Sequence, residues 1–275
     1  MGYHSGAVLI AQITDTHIRP KGKLLHHMLP TARYLRRCVA QLNLLQPKPD
    51  VVVATGDLVD RGKSKEYRRL RKILANLTIP LYVIPGNHDE RDAFREAFDD
   101  HDYLPGRGPL HYVIDDYPVR LLGLDTIRKK HPGGELDDER LVWLDARLEE
   151  APNRPTFIFM HHPPFETGIP PIDAHGFRGL ERFARIISDH AQVARVVSGH
   201  IHRAMTVVFA GTVASTAPST AHQLVIDRNA AGVYGLKLEP PGFVLHRWNG
   251  ERIESAVRAV EAFGPIERTS WAVAS

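Results

Sequence analysis

The chain has 275 residues, 43% apolar and 24% charged, the balance of a globular rather than a disordered protein. Its formal charge of +3 and pI near 9.0 are too mild to mark a nucleic-acid binder, and no apolar run approaches the about 18 residues that span a membrane. One cysteine, Cys38, excludes an intrachain disulfide and a multi-cysteine zinc site, whereas the 16 histidines outnumber tyrosine and tryptophan together.

Apolar runs alternate with amphipathic stretches. Ala7–Thr14 reads as a buried strand. Pro30–Leu45 carries Tyr34, Leu35, Cys38, Val39, Leu42 and Leu45 at helical spacing. Asp50–Thr55 is a second buried strand, Ser64–Leu77 a helix with a basic wet face, Pro80–Ile84 a third strand and Glu90–Phe98 a short helix. Leu110–Asp115 and Val119–Leu124 flank Asp116-Tyr117-Pro118 as a hairpin. Helix Asp137–Glu150, strand Pro155–Met160, helix Phe177–His190 and strand Ala194–Ser198 follow. The rest is β-rich, with strands at Met205–Phe209, His222–Ile226 and Phe243–Trp248. No basic stretch followed by an apolar core opens the chain, so a cytoplasmic location is expected.

Five short segments each lie just past the C-terminal end of a predicted strand: Asp15-Thr16-His17, Gly56-Asp57, Gly86-Asn87-His88-Asp89, His161-His162-Pro163 and Gly199-His200-Ile201-His202. In an open α/β sheet such loops converge. Asp15 and His17 are two residues apart, as are His200 and His202, so extended backbone would aim each pair at one centre. Carboxylate, imidazole and amide oxygen suit Zn, Mn, Fe or Co. Seven such ligands are too many for one ion and suit two ions about 3.5–4 Å apart that share a carboxylate.

The order D-x-H, G-D, G-N-H-D, H-x-P, G-H-x-H, complete from Asp15 to His202, resembles the calcineurin-like metallophosphoesterase superfamily. The phrases Ile13–His17, Pro85–Asp89 and Phe159–Pro164 resemble its bacterial class III cyclic-nucleotide phosphodiesterase and glycerophosphodiesterase branch. The resemblance implies an α/β fold class: a four-layer α/β/β/α sandwich of two mixed sheets flanked by helices. One such domain would span 1–275, with 203–275 completing the second sheet and contributing oligomer contacts. It implies Asp57 as the bridging carboxylate, with Asp15, His17 and His202 at one metal and Asn87, His161 and His200 at the other. It makes His88 a phosphate contact and proton donor to the leaving alkoxide, and puts Asn87 and His222 near substrate.

The activity so implied is hydrolysis of small phosphodiesters, glycerophosphodiesters or cyclic nucleotides, by a metal-bound hydroxide attacking phosphorus. A homodimer or larger homo-oligomer is expected, without membrane or nucleic-acid partners. Gly56-Asp57-Leu58-Val59-Asp60-Arg61-Gly62 matches the G-D-x-x-D-R-G wording of protein phosphatases, so a monoesterase is the alternative. A non-catalytic scaffold fits less well, because every ligand position is filled. Asp60 and Arg61 read as closing a turn, Asp89 as a helix N-terminal residue, and Lys63–Lys72 as a solvated helix face. His162 either orients His161 or lines the substrate mouth.

Overall fold

In the computed structural model, which describes residues 6–225, 236–237 and 239–260, the elements run β1 (Val8–Ile13), α1 (Thr31–Leu44), β2 (Val51–Thr55), α2 (Ser64–Leu74), β3 (Leu81–Ile84), α3 (Arg91–Ala97), β4 (Tyr112–Ile114), β5 (Arg120–Leu124), β6 (Ile127–Arg128), β7 (His131–Glu135), α4 (Asp138–Glu149) and β8 (Thr156–Met160). Then come α5 (Pro170–Asp173), β9 (Phe177–Arg178), α6 (Leu180–Asp189), β10 (Val193–Ser198), β11 (Met205–Phe209), β12 (Thr212–Thr216), β13 (Gln223–Leu224), β14 (Leu236–Lys237), β15 (Gly242–Trp248) and β16 (Ile253–Ala259).

Strand alternation decides the layering. Val52 and Ala54 of β2 share one apolar cluster with Ala11 and Ile13 of β1, Leu35 and Leu42 of α1, Leu70 of α2 and Phe94 of α3. Val51 and Val53 point the other way, into a cluster with Leu121 of β5, Phe157 of β8 and Val196 of β10. That second cluster continues to Leu141, Leu144 and Leu148 of α4 and to Phe183 and Ile187 of α6. The order is therefore helices, sheet, sheet, helices: the expected four-layer sandwich.

The first sheet runs β16-β15-β1-β2-β3 and the second β11-β12-β10-β8-β5-β4. β1, β2 and β3 are parallel, as are β5, β8, β10 and β12, so their carboxyl ends and the loops beyond them gather on one side.

Three differences between the sequence reading and the structure lie in the second half of the chain. The C-terminal strands do not all complete the second sheet: β11 and β12 extend it, but β15 and β16 pair antiparallel onto β1 of the first. The run Phe177–His190 is not one helix. Phe177–Arg178 is a strand beside β7, and Gly179 at φ 84° turns the chain before α6 begins at Leu180. The strand expected to end at Ile226 covers only Gln223–Leu224; Ile226 and 261–275 lie outside the described residues.

Candidate metal centre

The five segments meet where the sequence places them, by an unexpected route. Extended-chain alternation does not converge the pairs. Asp15, His17, Asp57, His200 and His202 all sit at positive φ, between 40° and 70°. Such conformations cost roughly 1–3 kcal/mol each in non-glycine residues and persist only where neighbours over-determine them. Here the ties are visible. The Asp15 and His17 amides donate to the carbonyls of Gly56 and Asp57, both at 3.0 Å, and the His200 amide donates to Asp15 Oδ2 at 3.0 Å. Glycine is required at Gly86, where a Cβ would stand 2.3 Å from Asp57 Oδ1.

Two groups of ligand atoms result. In one, His202 Nε2 lies 3.2 Å from His17 Nε2 and 3.3 Å from Asp15 Oδ1. In the other, His161 Nε2 lies 3.0 Å from Asn87 Oδ1, 3.3 Å from His200 Nδ1 and 3.4 Å from Asp57 Oδ2. Asp57 Oδ2 is also 3.8 Å from His17 Nε2, so this one oxygen faces both groups.

These donor sets fit metal ions. His202 Nδ1 donates to the His222 carbonyl at 2.9 Å and His161 Nδ1 to that of Thr55 at 2.8 Å. In the neutral tautomer each Nε2 then carries a bare lone pair. Asp15 Oδ1 is buried without a hydrogen-bond partner. Lone pairs crowded at these spacings call for a shared cation, since ligands about 2.1 Å from one ion stand about 3–3.5 Å apart.

The electrostatics agree. Burial alone would push the Asp57 carboxyl up, but the charges of His161 and His88 hold it well below its usual range. Burial likewise opposes ionisation of Asp15, and His202 overrides it. On His161 burial disfavours charge, yet Asp57 lifts the ring to about 9. A site that draws a proton this strongly competes for a cation in the same way.

His88 is the half-exposed member. Its amide donates to Asp57 Oδ1 at 2.8 Å, and its Nδ1 lies 2.8 Å from the Asp60 carbonyl. The Asp57 charge, against opposing burial, raises its pKa. His222 is buried, its ring 4.4 Å from that of His202 and 5.6 Å from that of His17.

Several supporting residues depart from their sequence reading. Asp89 does not cap α3; Glu90 does, accepting from the amides of Asp92 and Ala93. The Asp89 carboxylate instead accepts from the Gly86 and Leu58 amides and the Tyr67 hydroxyl, clamping two site loops together. Asp60 does more than close a turn. It pairs with Arg19 at 2.8 Å and lies 3.9 Å from Nδ1 of both His17 and His88. His162 has both ring nitrogens engaged, Nδ1 with the Thr126 hydroxyl at 2.8 Å and Nε2 with the Pro132 carbonyl at 3.1 Å. It therefore anchors the β6–β7 hairpin and leaves no nitrogen for a metal.

His26 stands 6.0 Å from His222 in a loop whose shape rests on positive φ at His26 and His27, which no spacing reveals. The Arg91–Asp125 ion pair at 2.6 Å also escaped sequence reasoning, because no local pattern joins α3 to the end of β5.

A family model described as calcineurin-like phosphoesterase matches residues 8–204. The chain is 36% identical over 246 residues to a probable glycerophosphodiester phosphodiesterase, GpdQ, of Arcobacter nitrofigilis, covering 89% of this chain and 90% of that one. It is 30% identical over 245 residues to the 3',5'-cyclic adenosine monophosphate phosphodiesterase CpdA of Escherichia coli K12, covering 86% of each. Among solved structures, a dimetal phosphatase from Danio rerio shares the fold with a TM-score of 0.64 at 16% identity, covering 92% of this chain and 96% of that one. The chain belongs to the calcineurin-like phosphoesterase family.

Proposed function

We propose that this chain is a dimetal-dependent phosphodiesterase that hydrolyses small phosphodiesters. The observation that carries the reading is Asp57 Oδ2, buried between two groups of ligand atoms and within 3.4–3.8 Å of a histidine nitrogen in each. In it, Asp15, His17, Asp57 and His202 hold one ion, and Asp57, Asn87, His161 and His200 the other. Imidazole, carboxylate and amide oxygen favour Mn, Fe, Zn or Co. When bound, two such ions supply an activated water and neutralise charge on the phosphoryl oxygens.

The chain's own residues do the rest. Asn87 contributes a neutral oxygen and adds no negative charge against the substrate. His88 donates from Nδ1 to the Asp60 carbonyl, which turns Nε2 towards the Asp57 side; it holds a proton there for the departing alkoxide. Asp60 and Arg19 fix that ring. His222 lines the substrate side beside His17 and His202.

The reading includes a cytoplasmic location and a homo-oligomer. Among the described residues no helix is long and apolar enough to cross a membrane. The edge strand β16, with Val257 54% exposed, offers a surface for a second copy. Protein loaded with Mn or Zn and given bis(p-nitrophenyl) phosphate and p-nitrophenyl phosphate tests the activity. Diester turnover well above monoester turnover supports the reading. The reverse order would favour the phosphatase wording at Gly56–Gly62, and no turnover with two metals bound would favour a scaffold.

A further inference from the structure

Positive charge is concentrated on the helices that cover the first sheet. From Thr16 to Pro49 the chain carries seven lysines and arginines and not one aspartate or glutamate. α2 adds Lys65, Arg68, Arg69, Arg71 and Lys72, and its one acidic residue, Glu66, is buried and paired with Arg19 at 2.9 Å. Between α1 and α2 lies an open groove of about 670 Å³ that presents Lys21, Arg36, Lys65, Arg68, Arg69 and Lys72. Among the described residues no carboxylate, no aromatic ring and no member of the candidate metal centre lines it.

Two of these charges are anchored. Arg69 Nη1 donates to the carbonyls of Arg19 and Pro20, at 2.9 and 2.7 Å, and Arg36 Nη1 to that of Ala32 at 3.1 Å. Each guanidinium keeps its remaining N–H groups uncommitted among the described residues. Burial and the Arg36 charge push the Arg69 pKa down, so two like charges meet there without a counter-ion. None of the six makes an ion pair with a described residue. Arg68 and Lys72 stand on the ridge of α2 and also border a second depression, whose other wall carries Glu96, Asp99 and Asp100; Arg71 answers Asp100 there. Lys21, Arg36, Lys65 and Arg69 line the groove with no such carboxylate opposite.

We propose that the α1–α2 groove binds a soluble oligophosphate, an anion with several phosphoryl groups in a row. Guanidinium and ammonium groups match phosphoryl oxygens, and cations set along two helices call for more than one phosphoryl group. Without a ring to stack a base, the groove fits the bare charged chain rather than a single-stranded nucleic acid. Its floor lies between two helices, which admits a free anion more readily than a flat bilayer surface.

The probe is pyridoxal 5'-phosphate, whose aldehyde condenses with a lysine amine held beside its phosphate. Borohydride fixes the imine, and peptide mass spectrometry maps the labelled lysines on the metal-loaded protein. Lys21 and Lys65 should be labelled at least about tenfold faster than Lys48, which lies beside Asp50 and Glu254 in another depression, and faster than by pyridoxal, which lacks the phosphate. Tripolyphosphate should protect them at concentrations at least about tenfold below those of orthophosphate. Arg36→Ala, a change of an exposed helix residue, should raise the protecting concentration about tenfold and leave the melting temperature in place. Labels are read residue by residue, so phosphate held at the metal centre does not enter the comparison. Equal labelling by pyridoxal, or equal protection by sodium chloride of the same ionic strength, reduces the groove to diffuse charge and overturns the site. Protection untouched by Arg36→Ala overturns it too, as does stronger protection by DNA or by phosphatidylglycerol vesicles at equal phosphate.

Discussion

The Nε2 atoms of His17 and His202 stand 3.2 Å apart, although the other nitrogen of His202 is committed to the His222 carbonyl. A spacing of that size is the one two imidazole ligands of a single ion take. Chelation should therefore lower the melting temperature as well as abolish turnover, and added Mn or Zn should restore both. A thermal melt unmoved by chelator and by added metal would contradict this.

Asp57 faces both ligand groups, so Asp57→Ala should cost both ions rather than one. We expect metal content near zero and turnover reduced by at least about a thousandfold. Elemental analysis beside a rate measurement decides it; a variant that keeps two ions and full rate has no bridging carboxylate to lose.

His88→Ala should keep both metals, because this side chain lies outside the two ligand groups. Rates should fall by about a hundredfold for poor leaving groups and much less for p-nitrophenolate, which departs without a proton. A loss equal across a series of leaving groups would place the role of His88 elsewhere.

Arg91 and Asp125 tie α3 to the end of β5 with two hydrogen bonds, at 2.6 and 2.9 Å. Burial alone would raise the Asp125 carboxyl, but Arg91 holds it below its ordinary value. Arg91→Met leaves that buried charge with the Leu110 and Ile127 amides but without its counter-ion, and should cost about 3 kcal/mol of unfolding free energy. A shift in the urea midpoint measures it; an unchanged midpoint would show that the pair adds nothing to stability.

His246 is buried between Gln12 and Ser255 with its ring 5.2 Å from Phe157, and burial pushes its pKa down to about 3. The fold accepts only the neutral ring. Its contribution is complete above the unfolded value near 6.5 and declines as pH falls from there towards 3, by at most about 1.4 kcal/mol per unit. His246→Gln should flatten the acid limb of stability between pH 6.5 and 4. Parallel limbs for the two proteins would exclude His246 as its source.

The layers were legible because the strands under the site are valine- and phenylalanine-rich runs that end at glycine, aspartate or histidine. Val51-Val52-Val53 announces a strand buried on both faces. β16 is different: Glu254, Ser255 and Arg258 lie on a sheet edge that needs no apolar face, so nothing in their pattern marks a strand. The ligand atoms were legible as residue types, but not their left-handed backbone, which is imposed by contacts between loops of distant sequence. His162 could not be resolved from sequence, since its partners Thr126 and Pro132 lie 36 and 30 residues away.

The β6–β7–β9 ribbon forms a small sheet of its own, paired with neither large one. It touches the centre through His162 and carries Phe177, while the ligand-bearing loops hang from the two main sheets. The two are thus housed on separate scaffolding. Exchange of 127–135 together with 165–178 between relatives should leave the bond-cutting residues where they stand.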